Sequence, residues 1–239
     1  MTTPPPQVAI VIPLAPGETD WRALLADLAT LPFAAEILLV AADGDPGAVD
    51  VEAPSGALAP SVRWLRSTPG RVRQLNGGAS HSVAPLLWFL HADSRVDAAA
   101  LAAVARALRE HRAGIGYLDL RFHDGPPWMA LTRLGVWWRC RLFGLPFGDQ
   151  GLLLSRRDFE ALGGYDESAA FGEDHLLVWA ARRAGLGVYP LGASIATSAR
   201  KYVERGWWAT TRLHQRLTWR QVREQRALAR RASDRTATR

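Results

Sequence analysis

The residues best placed to do chemistry follow an apolar strand. Leu87–Leu90, "LWFL", read as buried, and the next five positions hold His91, Asp93 and Arg95. A carboxylate at such a strand end is costly unless something pairs with it. Asp93 could cap the following turn. It could equally hold a hard divalent cation, which takes carboxylate and phosphate oxygen and completes its shell with water. A neutral imidazole at His91 could ligate Mn²⁺ or hydrogen-bond a ligand. A second acidic pair, Glu173-Asp174, follows Phe171-Gly172 and opens a periodic apolar segment. Two adjacent carboxylates can raise one pKa by repulsion, which suits a general base. Acidic residues also suit a helix N-terminus for dipole reasons alone.

Other polar positions have weaker signals. Asp43-Gly44 is either a common turn or a carboxylate that accepts two hydrogen bonds. Arg71 and Arg73, with Asn76, offer guanidinium forks for a phosphate or a solvated helix face. Asp149-Gln150 is a turn before a strand or a polar contact with a ligand, and Arg200 is a phosphate contact or a tail charge.

The elements that must position these residues alternate. "VAIVI" (8–12), closed by Pro13, "EILLVAADGD" (36–45), "VRWLRS" (62–67) and "PLLWFLHAD" (85–93) read as strands. Between them, 19–31 places Trp21, Leu24, Leu25, Leu28 and Leu31 at helical spacing, with Thr19 or Asp20 as caps. Residues 71–84 read as a helix despite central glycines, and 97–111 as a clear one. This alternation predicts an α/β fold with a mostly parallel sheet. Beyond residue 115 it changes to an antiparallel-type strand (116–122), a strand at 151–155 followed by a capped helix, a helix over 173–185 and a short strand in "LGVYPL" (186–191). In open α/β sheets ligands bind beyond the carboxyl ends of the strands. Pro13, Asp43 and His91–Asp93 all sit at such ends.

Taken in order, "VIPL" (11–14), "VAADGD" (40–45), "GRVRQLNGGA" (70–79), "FLHADSR" (89–95), "GDQG" (148–151), "GYDES…FGEDHLL" (164–177) and "TSAR" (197–200) resemble glycosyltransferase family 2. More narrowly they resemble its short bacterial branch found beside radical-SAM and selenodomain proteins, some of it labelled arsenosugar-biosynthesis glycosyltransferase. The resemblance runs from about residue 8 to about 215. It implies a GT-A fold (a mostly parallel central sheet flanked by helices, with a small antiparallel acceptor-side part), a UDP- or GDP-linked sugar donor, a divalent cation (Mg²⁺ or Mn²⁺) and inverting transfer to a small or lipid-linked hydroxyl acceptor. It places Asp93 and His91 at the metal, and Pro13, Asp43, Arg71, Asn76 and Arg200 on the donor. It puts Asp174, beside Glu173, as the base, and Asp149, Gln150 and Trp138 on the acceptor side. His91 stands where the family commonly has Asp. The family's Asn-Glu after the first strand is replaced by Ala15-Pro16-Gly17-Glu18.

The 239 residues, 48% of them hydrophobic, suit a globular chain with a core. A single cysteine, Cys140, excludes an intrachain disulfide and fits a reducing compartment. The opening "MTTPPPQ" lacks a secretory signal's charged and apolar regions. The expected division is a disordered lead (1–7), one catalytic domain (8–205) and a basic tail (206–239), in a cytoplasmic protein expected to meet the inner membrane face.

The net charge is +6, yet residues 200–239 carry eleven Arg and one Lys against three acidic residues, leaving −3 for the rest. The Trp/Arg-rich segments 126–147 and 206–231 suit a membrane interface. They suit equally a packed core with a wet basic face. No nucleic-acid-binding motif accompanies the charge.

Two competing functions remain. A sugar nucleotidyltransferase would need a Gly-rich, Arg-containing loop after the first strand, and "PLAPGETDW" has one glycine and none of that loop's arginine. The other is a non-catalytic membrane- or partner-binding module that kept the fold.

Overall fold

A computed structural model describes residues 5–44, 60–169 and 171–208, together with Arg212, Arg216, Arg220 and Arg223. Four strands, β1 (Val8–Pro13), β2 (Ala35–Ala42), β3 (Ser61–Ser67) and β4 (Leu86–Phe89), form a parallel half-sheet in the order β3-β2-β1-β4. Beyond them come β5 (Arg95–Val96), β6 (Ile115–Phe122), β7 (Leu152–Ser155) and β8 (Val188–Thr197), which extend the sheet as β7-β6-β8-β5. β7 is antiparallel to β4 and β6, β6 and β8 are parallel, and β5 is antiparallel to β8. The mostly parallel sheet with an antiparallel portion is the expected fold class.

Both faces are covered, as the alternation of side chains requires. One face buries Val8, Ile10, Ile12, Ile37, Leu39 and Trp88 under α1 (Trp21–Leu28) and α3 (Ala98–Glu110). The other buries Ala9, Val11, Leu38, Val40, Leu87 and Phe89 under α2 (Arg71–Ser80), α5 (Arg156–Ala161) and α6 (Glu173–Arg183). Two further helices are α4 (Met129–Phe143) and α7 (Arg200–Arg205).

The central glycines of α2 have a packing reason. A Cβ at Gly78 would collide with Val11 and meet Val40, so glycine lets the helix lie close on β1 and β2. Gln74 then fixes it. Its buried amide nitrogen donates to Leu14 O and Val40 O, both at 2.8 Å, at the carboxyl ends of those strands. This places Arg71, the first residue of α2, over the strand ends.

Two local expectations change. The N–H groups of Thr19 and Asp20 are satisfied by Glu18 Oε1, each at 3.1 Å, so Glu18 supplies the cap ahead of α1. The last strand runs on to Thr197, because pairing with β6 continues through Ile195, Ala196 and Thr197. Residues 1–4 of the lead, the stretch 45–59 after Asp43, and most of the tail lie outside the described residues.

Candidate active site

Topology gathers the site at one edge of the sheet. The parallel strands end there with Pro13, with Asp43 one residue past β2, and with His91–Asp93 just past β4. Because β7 runs antiparallel to β4, its start lies at the same edge, with Phe89 opposite Leu152, and brings the short 3-10 turn Gly148–Gln150 with it. The end of β8 arrives there too. Thr197 Oγ1 donates to Asp93 Oδ2 at 3.2 Å.

Arg71 is the hub. Its Nε donates to Glu173 Oε1 at 2.8 Å, one terminal nitrogen lies 3.9 Å from Asp174 Oδ2, and the same nitrogen meets His91 Nε2 at 2.5 Å. A guanidinium only donates, so Nε2 is the acceptor and the ring proton sits on Nδ1. That geometry turns His91 Nε2 toward Arg71. Burial lowers the Arg71 pKa, but Asp174 and Glu173 outweigh it and hold the pKa above its ordinary value.

Asp174 is a strongly perturbed carboxylate. Its side chain is 14% exposed, and Oδ1 is buried with no hydrogen bond among the described residues. Burial pushes its pKa up to about 6. Arg71 lowers it, Glu173 and Asp149 raise it, and the Gly148 amide lowers it. Gly148 packs so closely that a Cβ there would fall inside the Asp174 carboxylate. The Tyr165 hydroxyl lies beside the same group: burial first, then the charge of Asp174, pushes the phenol well above its ordinary value. Tyr165 is held by Asn76, whose Oδ1 accepts from Tyr165 N at 3.0 Å and whose Nδ2 donates to Tyr165 O at 2.9 Å.

The remaining predicted residues divide. Arg200 reaches Asp20 at 3.4 Å and Glu18 at 3.8 Å, so it stands beside the loop after β1. Asp43 is exposed, its N–H bonded to Ser67 O at 2.8 Å. Arg73 lies on the surface, 3.6 Å from Glu167. Gln150 is fully buried. Its oxygen accepts from Phe147 N and Arg139, and its nitrogen donates to Leu118 O at 3.0 Å, so its amide braces the turn from within. Asp149 lies near enough to raise Asp174 and, after burial, to help push Tyr202 up to about 12. Trp138 is half-exposed on α4. His175 is buried, with its ring 5.0 Å from that of Phe147.

Sequence reasoning passed over Gly148, Tyr165 and Thr197. Each stands in a motif quoted for its neighbours. The Gly before Asp149-Gln150 was the readable signal, because a small residue marks a close approach.

Among the described residues no three His, Cys, Asp or Glu side chains converge as a metal cage. Asp93 offers one carboxylate at the sheet edge, with Thr197 on one oxygen. That donor set fits a cation whose other ligands are phosphate and water. It does not fit a closed all-protein site.

No protein-family model and no curated protein matches the chain. Solved structures do. S. aureus TarS 1–349 superposes with a TM-score of 0.62 at 16% identity, over 80% of this chain and 60% of that one. The same protein in complex with UDP-GlcNAc gives 0.56 at 14% identity, over 80% and 58%. The mannosyltransferase PcManGT from Pyrobaculum calidifontis, in complex with GDP-Man and Mn²⁺, gives 0.53 at 18% identity, over 82% and 56%. The chain thus spans 56–60% of the length of these structures. At these identities the likeness establishes a shared fold, the GT-A-like α/β architecture expected from the sequence.

Proposed function

We propose that this chain is an inverting glycosyltransferase of family 2, moving a sugar from a UDP- or GDP-linked donor to a hydroxyl acceptor with Mg²⁺ or Mn²⁺. The observation that carries the reading is Asp174. A buried carboxylate with a pKa near 6 and one oxygen unpartnered among the described residues stands 3.9 Å from Arg71 and beside the like charge of Glu173, near the strand ends that carry Asp93. The neighbours solved with UDP-GlcNAc and with GDP-Man and Mn²⁺ support the donor class and the cation.

In this reading Pro13 and Asp43 receive the nucleoside, and Arg71 and Arg200 face the diphosphate. Asn76 acts through the Tyr165 backbone that it clamps. Asp149, braced by Gln150, and Trp138 stand on the acceptor side. A cation on Asp93, when bound, neutralises the leaving diphosphate. His91 orients Arg71. Asp174 takes the proton from the acceptor hydroxyl as its oxygen bonds to the anomeric carbon. The carbon–phosphate-oxygen bond breaks, and the diphosphate leaves with the electron pair. One displacement inverts the centre, and one base suffices.

The proposal also takes residues 8–205 as the catalytic unit and 206–239 as a basic tail. It places the chain in the short bacterial branch, at the cytoplasmic face of a membrane, with contact through 126–147 and 206–231. Sugar transfer by Asp174→Asn tests the base: an unchanged rate removes the assignment.

A further inference from the structure

The outward side of α4 is apolar. The helix buries Met129 and Cys140 and packs Val136 on the core. On the opposite pole stand Leu131, Leu134, Trp138 and Leu142, spaced i, i+3, i+7 and i+11 and exposed by 62, 51, 49 and 63%. A surface helix of a globular protein carries polar residues there. The patch continues into the tail. Trp207 Nε1 donates to Thr132 Oγ1 at 2.7 Å, and Trp208 beside it is 73% exposed.

The flanking sequence and the tail are basic. Residues 125–148 contain no Asp or Glu. Arg139 and Arg141 turn inward to Gln150 and Asp119, and Arg133, exposed, falls on the Met129–Val136–Cys140 side of the helix. Arg212, Arg216, Arg220 and Arg223 are helical and exposed, with Glu204 the only acidic residue between 200 and 223. The guanidinium of Arg220 lies 4.6 Å from the ring centre of Phe171, three residues before Asp174.

We propose that the outer pole of α4, with Trp207, Trp208 and the tail arginines, docks on the surface of an anionic bilayer. The leucines enter the headgroup boundary, the indoles lie at the interface and the arginines meet lipid phosphates. No helix among the described residues is long and apolar enough to cross a membrane. A second copy fits less well, because a symmetric contact would bring the two basic tails that start beside this face together. Single-stranded nucleic acid needs ring platforms, and three of the four pole residues are leucines.

The docked face adjoins the site. α4 runs through Gly144–Phe147 into Gly148, which touches Asp174, and Arg182 at the end of α6 donates to Phe143 O. The acceptor hydroxyl is therefore one presented by a membrane lipid. This last step rests on the sugar-transfer reading; the docking does not.

The test is flotation of the full chain with vesicles of phosphatidylcholine, alone and mixed with phosphatidylglycerol, for wild type and for Leu131→Glu/Leu142→Glu. Nucleotide titration runs on the same samples. Wild type is expected to float with the anionic vesicles only, and the variant to lose vesicle affinity by about tenfold or more, with nucleotide binding unchanged. Equal binding by wild type and variant would overturn the proposal. So would no vesicle binding by wild type, or a dimer that the variant dissolves in its place. Vesicle binding without nucleotide binding would keep the docking face and remove the sugar-transfer reading and the lipid acceptor with it.

Discussion

Arg71 and Glu173 stand 102 residues apart in the chain and meet at 2.8 Å, with the same guanidinium touching His91. This contact ties the first residue of α2 to the first residue of α6 and both to the end of β4. Arg71 lowers the pKa of Asp174 against burial and two neighbouring carboxylates. Replacing it with methionine removes that restraint. The acid limb of kcat/KM, expected near the Asp174 value of about 6, moves to higher pH in Arg71→Met. A pH–rate profile of the two proteins checks this, with an unmoved limb contradicting the coupling.

Asp174→Asn should lower the transfer rate by about a thousandfold, the scale of a lost general base. It should also change stability, and the sign follows from linkage. The folded carboxyl titrates near 6, above its unfolded value of about 3.9. The stability this contributes is fully present below the unfolded value and is lost as pH rises through 6. Above that, wild type carries an ionised buried carboxylate that Asn lacks. Loss of the Arg71 attraction offsets part of the gain, leaving the variant about 1–2 kcal/mol more stable at about pH 8, with the difference fading toward about pH 4. Denaturant melts at the two pH values read it.

Two glycines separate close packing from open space. A Cβ at Gly148 falls inside the Asp174 carboxylate, so Gly148→Ala must displace the base. A displacement of about 1 Å reduces turnover by about a hundredfold. A Cβ at Gly135, within α4, meets nothing within 4 Å. Gly135→Ala should therefore keep activity and gain about 0.5–1 kcal/mol of stability from helix propensity. Parallel kinetics and melts decide both.

Where the sequence signal was local, it was readable. The apolar runs of β1, β2 and β4, and the spacing of Trp21, Leu24, Leu25 and Leu28, reflect burial on a covered sheet. Asp97 capping α3 through the Ala100 N–H is a one-turn signal of the same kind. α4 carried no clear helical reading because both its sides are apolar, which erases the usual periodicity. The far half of β8 was missed because Gly192, at φ +81, interrupts the run at a bulge, and pairing with β6 resumes only at Ser194.

In the site, residue types at strand ends and at the head of α6 were visible, because chain order and fold class fix which ends share an edge. Long-range contacts were not. The Arg71–His91 bond, the clamp of Asn76 on Tyr165 and the inward turn of Gln150 depend on packing between segments from 20 to 89 residues apart.

The central claim is a cation-dependent nucleotide-sugar site built on Asp93. The measurement that tests it most directly is calorimetric titration of UDP and of GDP into the protein, with and without Mn²⁺, for wild type and Asp93→Ala. The account predicts binding of one nucleotide by wild type only when Mn²⁺ is present, lost in Asp93→Ala. Binding of neither nucleotide under any metal condition, or equal binding by Asp93→Ala, would contradict it.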